Sequence, residues 1–295
     1  MEFMSQIFSE ATIIFTETWV DDNFVLIAVA IFLIELIRYA FKKKLSWNML
    51  ADSATNFVTL FFLLVTIFFV GLAYVAAFIF AYENLSLTHL PITGWTILGC
   101  LILADLAYYW EHRFLHSNGL AWGTHSVHHS SPYFNISVAY RFGPLDWFFP
   151  FFFHLPLILL GFNPFVLLMC ETFVQLFQTL LHTETVKKFP RPIEAIFNTP
   201  SHHRVHHATN KQYLDKNYAG ILIIWDRMFG TFAREDEEVK YGVYPRINSV
   251  NPFKVYFHGY AKLIQQLWHA PSWSYRLQLL VKPPIWAWKQ EQQRK

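Results

Sequence analysis

Long apolar segments separated by short polar ones dominate the first half of the chain. A helix that crosses a bilayer needs about 20 mostly apolar residues. Residues 23–41 and 93–112 have that length, and residues 54–80 exceed it. The longest segment contains Gly71, so we expect it to be tilted or kinked near that residue. These three segments predict three membrane-spanning helices.

A further apolar region runs from Trp147 to Leu181 and is interrupted once, by GFNP at 161–164. Glycine followed by Asn-Pro is typical of a turn. The region therefore predicts a tight helical hairpin with arms over roughly 146–160 and 164–182. Together with the first three segments and the more polar chain that follows, it predicts an all-α polytopic membrane protein. We expect about four to five transmembrane helices under a cytosolic helical cap.

Positive charges predict which side of the membrane each loop faces, because cytoplasmic loops are rich in lysine and arginine. Arg38 and the lysines at 42–44 lie at the end of the first span, whereas residues 1–22 and the loop at 82–93 contain neither residue type. The N-terminus is therefore expected on the periplasmic or lumenal side. Counting spans forward from there puts every histidine cluster on the cytoplasmic side.

The composition agrees with a membrane protein and disfavours several other classes. Of 295 residues, 54% are hydrophobic and 15% are charged, whereas a typical soluble domain has about 25% charged residues. A net charge of +2 does not indicate nucleic-acid binding. Cys100 and Cys170 both lie in apolar runs, so we expect them to pack as small hydrophobic residues. The first residues do not predict a cleaved signal peptide.

Histidines occur in four clusters whose spacing places several imidazoles together. Residues three or four positions apart share one face of a helix. Each cluster should therefore present its side chains in one direction, and the predicted topology brings all four clusters to one membrane surface. The nine imidazoles are His112 and His116; His125, His128 and His129; His182; and His203, His206 and His207.

Two interpretations of these histidines compete. A single histidine on an apolar face is usually a hydrogen-bonded structural residue, which is our interpretation of His89, His154, His258 and His269. The H-x-x-H-H triplet, which occurs twice, differs because so many unpaired imidazoles are unfavourable to bury and repel one another once protonated. A metal ion removes both problems, since neutral imidazole is the commonest metal ligand.

Nine imidazoles exceed the needs of one metal ion. A zinc ion takes four ligands, or three ligands and a water in catalytic sites. The count therefore predicts a dinuclear site with four or five nitrogens for each metal and an open position between the metals. Imidazole suits iron, zinc, copper and nickel alike, so the spacing alone does not identify the element.

The residues around these clusters resemble the fatty acid hydroxylase/sterol desaturase superfamily of integral membrane di-iron oxygenases. The resemblance covers about residues 95–245. Within the superfamily, the motifs look most like the alkylglycerol monooxygenase branch, which cleaves glyceryl ethers. The matching motifs are D-x-x-x-Y-W-x-H-R-x-x-H at 105–116, H-x-x-H-H-S at 125–130, HTE at 182–184, N-T-P-x-x-H-R-x-H-H at 198–207 and KNYAGILIIWDRMFGTF at 216–232.

This resemblance implies a four-helix membrane base under a cytosolic cap, with two irons between the base and the cap. It also divides the chain into three parts. These parts are N-terminal transmembrane helices over 1–94; a catalytic domain over 95–245 with the membrane hairpin 146–182 and the cap 183–245; and a C-terminal interfacial or cap tail over 246–295.

Carried over position by position, the resemblance implies that the nine histidines are the iron ligands. Asp105 lies two helical turns before His112, where its carboxylate could orient an imidazole or bond a neighbouring helix. Some family members have a further histidine at the position of Gln178, so that iron either binds a water held by Gln178 or has one ligand fewer. The residues expected to contact the ligands without binding iron themselves are Asp105, Gln178, His202, Asn198 and Asn210.

The activity implied by the resemblance is O₂-dependent hydroxylation or desaturation of an alkyl chain that enters from the bilayer. Hydroxylation at an ether-bearing carbon would cleave a glyceryl ether lipid. We find no haem, flavin or iron–sulfur motif in the sequence, so the electrons must come from an external donor. The family expectation is a reduced pterin for the glyceryl-ether branch and a ferredoxin or b-type cytochrome for the others. Zinc could replace iron in purified protein.

Other functions remain open at this point. Within the same superfamily, the chain could be a sterol desaturase or methyl oxidase, or a hydroxylase of an aminolipid acyl chain. A membrane metal or haem electron carrier is less favoured, because haem-binding pairs usually lie within the spans and these clusters lie at and beyond the span ends. The complete set of histidines disfavours an inactive scaffold.

Overall fold

The computed structural model describes residues 9–293 and is built from helices. Within these residues there is no β-strand, and two isolated bridges pair Phe197 with Leu222 and Ala208 with Tyr241. The all-α prediction is therefore confirmed. The helices are α1 (Glu10–Phe41), α2 (Trp47–Leu85), α3 (Gly94–Ser117), α4 (Gly119–His128), a 3-10 helix (Ile136–Tyr140), α5 (Phe149–Leu159), α6 (Pro164–Leu181), α7 (Arg191–Ile196), α8 (Pro200–His206), α9 (Ile224–Met228), α10 (Pro252–Trp268), α11 (Trp273–Val281) and α12 (Pro284–Gln293).

Helices α1, α2 and α6 are long and apolar enough to cross a membrane. They have 32, 39 and 18 residues, and α2 continues without interruption through Gly71. Large apolar side chains on α1 and α2, such as Leu26, Phe68 and Leu72, are strongly exposed. Extended apolar surface of this kind is unfavourable in water and favourable in lipid. These features are those of an integral membrane protein.

The other predicted spans are more polar or shorter. The segment 93–112 consists of the N-cap Thr93 and most of α3. It is helical as predicted but less apolar, because it contains Asp105, Glu111 and His112. The predicted hairpin is present as α5 and α6, but the 11 residues of α5 extend only about 16 Å, roughly half of the hydrocarbon core. By length and composition, three of the four to five expected helices can therefore span the bilayer.

The orientation of these helices in the membrane stays a prediction. The expected periplasmic or lumenal N-terminus involves residues 1–8, which lie outside the described residues. The proposed domain boundaries at 94, 245 and 246 likewise stay predictions.

Polar residues begin the helices in the way that capping chemistry predicts. The side chain of Ser46 accepts a hydrogen bond from a backbone N–H in the first turn of α2. Thr93 and Thr96 form a reciprocal capping box at the start of α3. Asn163 caps α6, with Pro164 as the first helical residue. The GFNP turn thus ends one arm of the hairpin and begins the other.

Helices α3, α5 and α6 share an apolar core that holds two of the histidine clusters in place. Cys100 and Cys170 are free and buried in this core next to Ala104, so they pack as small hydrophobic residues, as predicted. Because α3 packs along α6, His112 near the end of one helix is fixed relative to His182 at the end of the other.

The C-terminal helices hold α4, which carries the first histidine triplet. Helix α10 packs against α4 at a close approach of two glycines. A Cβ atom on Gly259 would lie 2.1 Å from the carbonyl oxygen of Gly123, and one on Gly123 would lie 2.6 Å from the ring of Tyr260. Glycine is required here because any side chain would separate the helices. Leu279 of α11 and Ala287 of α12 complete this packing through Leu263 of α10.

Candidate metal centre

Nine imidazoles from four segments converge into two adjacent groups. Within each group, one nitrogen of every ring lies within 4.8 Å of those of all the other rings. All but His128 are buried, and His128 is half-buried. The five-histidine group consists of His112, His116, His125, His129 and His206, and the four-histidine group consists of His128, His182, His203 and His207.

Each H-x-x-H-H triplet contributes to both groups. His125 and His129 of α4 belong to the five-histidine group, whereas His128 between them belongs to the four-histidine group. Helix α8 repeats this division with the groups exchanged, since His203 and His207 join the four-histidine group and His206 joins the other. The expectation that each triplet presents all its side chains in one direction was therefore wrong.

The geometry of a helix explains this division. Residues i and i+4 are separated by about 40° around the axis, while i+3 lies about 60° to the other side of i. Each triplet can therefore place two imidazoles on one metal and one on the other. The neighbouring rings of His128 and His129, with centroids 5.5 Å apart and planes at 86°, diverge accordingly.

The spacing of the facing nitrogens suits a metal ion. In the five-histidine group, Nε2 of His125 lies 3.1 Å from Nε2 of His112 and 3.1 Å from Nε2 of His129. In the four-histidine group, Nε2 of His182 lies 2.9 Å from Nε2 of His203 and 3.2 Å from Nε2 of His128. Two nitrogens bound to one metal at about 2.1 Å are about 3.0–3.4 Å apart. The observed separations fall in or next to that range.

Backbone carbonyl groups set the protonation of four of these rings. A carbonyl oxygen can only accept, so a ring nitrogen bonded to it must carry the proton, and the opposite nitrogen is left with a lone pair. These bonds join Nδ1 of His112 to Tyr218 O (2.9 Å), Nδ1 of His128 to Arg141 O (3.3 Å), Nδ1 of His182 to Gln178 O (2.9 Å) and Nδ1 of His206 to Lys216 O (3.1 Å).

The inward nitrogens consequently need a cation. His128 and His182 both donate from Nδ1, so the 3.2 Å between their Nε2 atoms separates two lone pairs. Nε2 of His116 and Nε2 of His207 are buried and have no hydrogen-bond partner within residues 9–293. Buried polar atoms without partners are rare and costly. The donor set, which consists entirely of imidazole, therefore fits metal ions such as iron or zinc.

Burial keeps the triplet histidines neutral. It lowers the pKa of His128 to about 4 and the pKa values of His125, His203 and His206 well below the ordinary value. Neighbouring imidazoles act in the same direction, since each would repel a second positive charge. Neutral rings with free lone pairs are the form that binds metal.

One of our two sequence-based expectations for Asp105, that its carboxylate orients an imidazole directly, is wrong. Its carboxylate instead accepts hydrogen bonds from the backbone N–H groups of Ile221 (2.6 Å) and Leu222 (3.0 Å) and from Nε1 of Trp225 (2.9 Å). Seven residues of helix span about 10 Å, too far for Asp105 to reach the ring of His112. Asp105 therefore anchors residues 218–222 of the cap, which we call the cap loop, to α3.

That cap loop is what holds His112. Asp226 also stabilises the loop, because its carboxylate accepts hydrogen bonds from the backbone N–H groups of Tyr218 and Ala219, each at 2.8 Å. The loop then presents the carbonyl oxygen of Tyr218 to Nδ1 of His112. Asp105 and Asp226 thus act on His112 only through the backbone of the cap loop. The sequence had suggested a direct contact between Asp105 and an imidazole.

Gln178 and Asn198 share a contact on the same loop. Their side-chain amides both donate to the carbonyl oxygen of Ala219, at 3.0 and 2.6 Å. Their amide oxygens, Oε1 and Oδ1, are buried and have no hydrogen-bond partner among the described residues. Gln178 also supports His182, because its backbone carbonyl accepts from Nδ1 of that ring.

His202 and Asn210, also expected to support the ligands, bond to other parts of the cap. Nε2 of His202 lies 3.1 Å from a carboxylate oxygen of Glu194. Asn210 bonds to the backbone of Glu238 and Lys240 at 3.0 and 2.9 Å. The imidazole of His202 pairs with Glu194 instead of joining either group, and Asn210 lies beyond the end of α8. Their support of the ligands is therefore not direct, and both stabilise the cap.

Several residues at the site were missed in the sequence. The carbonyl groups of Arg141 and Lys216 each fix one ligand ring, and a backbone carbonyl leaves no trace in the sequence. The rings of Trp122, Phe134 and Tyr218 pack on the histidines, with centroids 5.0, 5.0 and 5.2 Å from His116, His207 and His116 respectively. Their proximity to the H-x-x-H-H triplet and to the NYAG segment was the available signal.

The remaining histidines lie outside both groups, as their isolated positions predicted. His154 pairs with Glu171 at 3.2 Å and bonds to the carbonyl oxygen of Pro150. His258 and His269 each bond a carbonyl one turn earlier in α10. Nε1 of Trp225 donates to Asp105, and the ring of Phe229 packs on the ring of Tyr109.

Comparisons with known proteins match the part of the chain that carries both histidine groups. Residues 97–231 match the family model described as Fatty acid hydroxylase. The matched segment contains every histidine of both groups. No solved structure matches the chain.

Three relatives show how far the similarity extends. The chain is 43% identical over 212 residues to the alkylglycerol monooxygenase of Danio rerio and 40% identical over 211 residues to that of Homo sapiens. These alignments cover 72% and 71% of this chain and 47% of each relative, so the chain spans about half their length. The ornithine lipid hydroxylase OlsE of Rhizobium tropici is 33% identical over 143 residues, 48% of this chain and 43% of the relative.

Proposed function

Residues 97–231 belong to the fatty acid hydroxylase family, a family of iron enzymes, and on that premise we propose that the chain is a membrane-bound di-iron oxygenase that hydroxylates an alkyl chain of a lipid. The observation that carries this proposal is the pair of histidine groups, whose inward nitrogens are spaced for two metal ions. The nine histidines are the proposed ligands. Zinc would fit the same nitrogens in purified protein.

The irons would supply the activation of O₂ that an unactivated C–H bond requires. Backbone carbonyl groups of the chain fix the orientation of the ligand rings, and the burial of these rings excludes water. The four-histidine group has one imidazole fewer than the other group. Each O₂ needs two external electrons when one oxygen atom enters the substrate. We propose a reduced pterin as the donor, with a ferredoxin or a b-type cytochrome as the alternative.

We propose a glyceryl ether lipid as the substrate. Identities of 43% and 40% to two alkylglycerol monooxygenases support this choice. Hydroxylation at the ether-bearing carbon would give a hemiacetal, which falls apart to an aldehyde and glycerol. The site would face the cytoplasm, because the lysines at 42–44 follow the first span.

The direct experiment supplies iron-loaded protein in mild detergent with a 1-O-alkylglycerol, O₂ and a reduced pterin. We expect release of the long-chain aldehyde and glycerol, measured by mass spectrometry. A His206→Ala variant is the matched control and should release neither. Absence of aldehyde with pterin, ferredoxin and cytochrome donors alike would contradict ether cleavage.

A second candidate is hydroxylation of an aminolipid acyl chain, favoured by the 33% identity to OlsE. It uses the same metal centre and differs only in the lipid. A sterol desaturase or methyl oxidase is a further alternative within the superfamily. Mass analysis of the products distinguishes them, since acyl hydroxylation adds one oxygen atom without cleavage and desaturation removes two hydrogens.

A further inference from the structure

A cavity of about 650 Å³ lies between α1 and α6, beside the four-histidine group. Ile31, Ile34 and Glu35 of α1 form one wall, and Phe177 and Leu180 of α6 form the opposite wall. Both helices are long and apolar enough to cross the membrane. The volume is typical of ligand pockets, which range over about 300–1,000 Å³.

The cavity has a buried inner end and an exposed mouth. Glu35, Thr183 and Asn198 line the inner end, and each is at least nine-tenths buried. Ile34 and Leu180 are exposed at 59% and 39%, as are Phe189 and Ile193 of the cap at 40% and 39%, so the mouth lies where α1 and α6 meet the cap. Because α1 and α6 are apolar helices, this mouth opens toward the hydrocarbon region of a bilayer.

The inner end adjoins the metal centre. Leu181 and Thr183, both in the wall, flank His182 in the chain. Thr199, also in the wall, accepts through its carbonyl oxygen a hydrogen bond of 3.0 Å from the backbone N–H of His203. Two members of the four-histidine group, His182 and His203, are therefore directly linked to residues of the cavity wall, although neither ring is itself part of that wall.

The polar atoms at the inner end are acceptors. Oδ1 of Asn198 is buried and unpartnered within residues 9–293, and its orientation is fixed because Nδ2 donates to the carbonyl oxygen of Ala219. Glu35 accepts from the backbone N–H of Ile136 and from the hydroxyl groups of Thr183 and Thr185. A carboxylate can accept about four hydrogen bonds, so it has capacity for another.

We propose that this cavity binds a lipid head first, with a hydroxyl-bearing head at the inner end and a single alkyl chain extending toward the bilayer. Asn198 Oδ1 accepts a hydrogen bond from a head hydroxyl. At about 650 Å³ the cavity lies within the range of pockets that hold small-molecule ligands. The inference rests on the proposed function for the identity of the reaction.

The test measures binding without turnover. Protein in nanodiscs, with O₂ but no reductant, is irradiated with a photoreactive 1-O-alkylglycerol that carries its diazirine in the alkyl chain. Labelling of peptides 24–35 and 173–185 is then quantified with and without excess unlabelled 1-O-alkylglycerol. We expect labelling of these peptides to be saturable, whereas labelling of the lipid-facing part of α2 should not respond to competition.

Two substitutions on α1 form a matched pair. Ile34→Trp fills the mouth and should weaken competition about tenfold or more. Leu33→Trp adds the same side chain one residue away, at an exposed position outside the cavity wall, and should bind like the unchanged protein. Equal binding by Ile34→Trp and the unchanged protein, or equal weakening by both variants, would overturn the cavity as the site.

A change in the ligand tests the orientation. A chain-matched dialkyl ether without hydroxyl groups should compete about tenfold more weakly than the alkylglycerol, because it leaves Asn198 Oδ1 unpaired. Equal competition would overturn head-first binding. Since no electrons are supplied, saturable labelling can be obtained even if ether cleavage fails, and ether cleavage without saturable labelling would reject the cavity alone.

Discussion

The two histidine groups of the proposed metal centre differ in ways that their shared motif does not explain. The five-histidine group is fully buried and packs against the rings of Trp122 and Tyr218. The four-histidine group contains the half-buried His128 and lies next to the cavity between α1 and α6. One half is therefore enclosed, and the other is the half that a lipid could approach.

The difference arises outside the triplets. The two H-x-x-H-H triplets together supply three nitrogens to each group. Helix α3 then adds His112 and His116 to one group, whereas α6 adds only His182 to the other. Gln178, one helical turn before His182, is the position from which a second ring could come. If each group holds a metal ion, as we propose, the smaller number of imidazoles in the four-histidine group would leave room for an exogenous molecule there.

The largest effect should come from breaking a triplet. Replacing His129 or His207 by alanine removes one imidazole from its group and so alters the coordination of the metal that the group would hold. Activity should fall by more than about a hundredfold, beyond the 10–100-fold cost of losing a supporting residue. Turnover and metal content measure this effect, and His269→Ala, outside both groups, is the control. Full activity in either ligand variant would refute a shared centre.

A second comparison separates the two groups. His116→Ala leaves four imidazoles in its group, whereas His182→Ala leaves three. We therefore expect His116→Ala to retain close to two irons per chain and His182→Ala to retain about one, as measured by mass spectrometry of the purified proteins. The reverse order would show that ligand number does not govern metal retention here.

The cap loop should matter next. Asp105→Ala leaves the backbone N–H groups of Ile221 and Leu222 without their acceptor, and the loop that carries Tyr218 should shift. We expect a 10–100-fold loss of activity and a lower thermal midpoint. Trp225→Phe removes only one of the three hydrogen bonds to Asp105 and should have a smaller effect on both. An Asp105→Ala variant that melts and turns over like the unchanged protein would contradict this role.

A substitution at Gln178 can reduce the difference in the number of imidazoles between the two groups. Gln178→His places an imidazole one turn before His182, so the four-histidine group could gain a fifth nitrogen. Iron should then be retained longer during dialysis against a chelator, with a decrease in turnover of several-fold. Gln178→Leu is the control and should not slow the loss of iron. Equal loss from both variants would show that position 178 does not face the metal.

The smallest effect is expected at His202. Its imidazole bonds Glu194 rather than either group, so His202→Gln should change turnover by less than about threefold. Metal content should stay the same. A loss of iron comparable to that in the triplet variants would mean that the histidine assignment within 202–207 is wrong.

The sequence allowed much of the site to be predicted, because spacing on a helix translates directly into position. His112 and His116, four residues apart, join one group, and the excess of nine imidazoles over one metal's needs led to two groups. The hairpin followed from GFNP at 161–164, which ends α5 and begins α6 as expected. The isolated histidines, such as His154, were correctly separated from the clusters.

Other features depended on tertiary contacts that spacing does not encode. The division of each triplet between two groups requires the partner helix to be known. Asp105 lies on the expected side of α3, but its carboxylate accepts hydrogen bonds from the cap loop and not from a histidine. The ring orientations of His112 and His128 depend on carbonyl groups of residues 218 and 141, and any residue type supplies a carbonyl.

The most direct test of the central claim is the metal content of the intact chain. Protein purified in mild detergent is analysed by mass spectrometry beside a His128→Ala/His206→Ala variant, which loses one nitrogen from each group. About two irons per chain, or the same number of zinc ions in substituted protein, with a clear loss in the variant, is the predicted result. A metal content equal in both proteins would contradict the dinuclear centre.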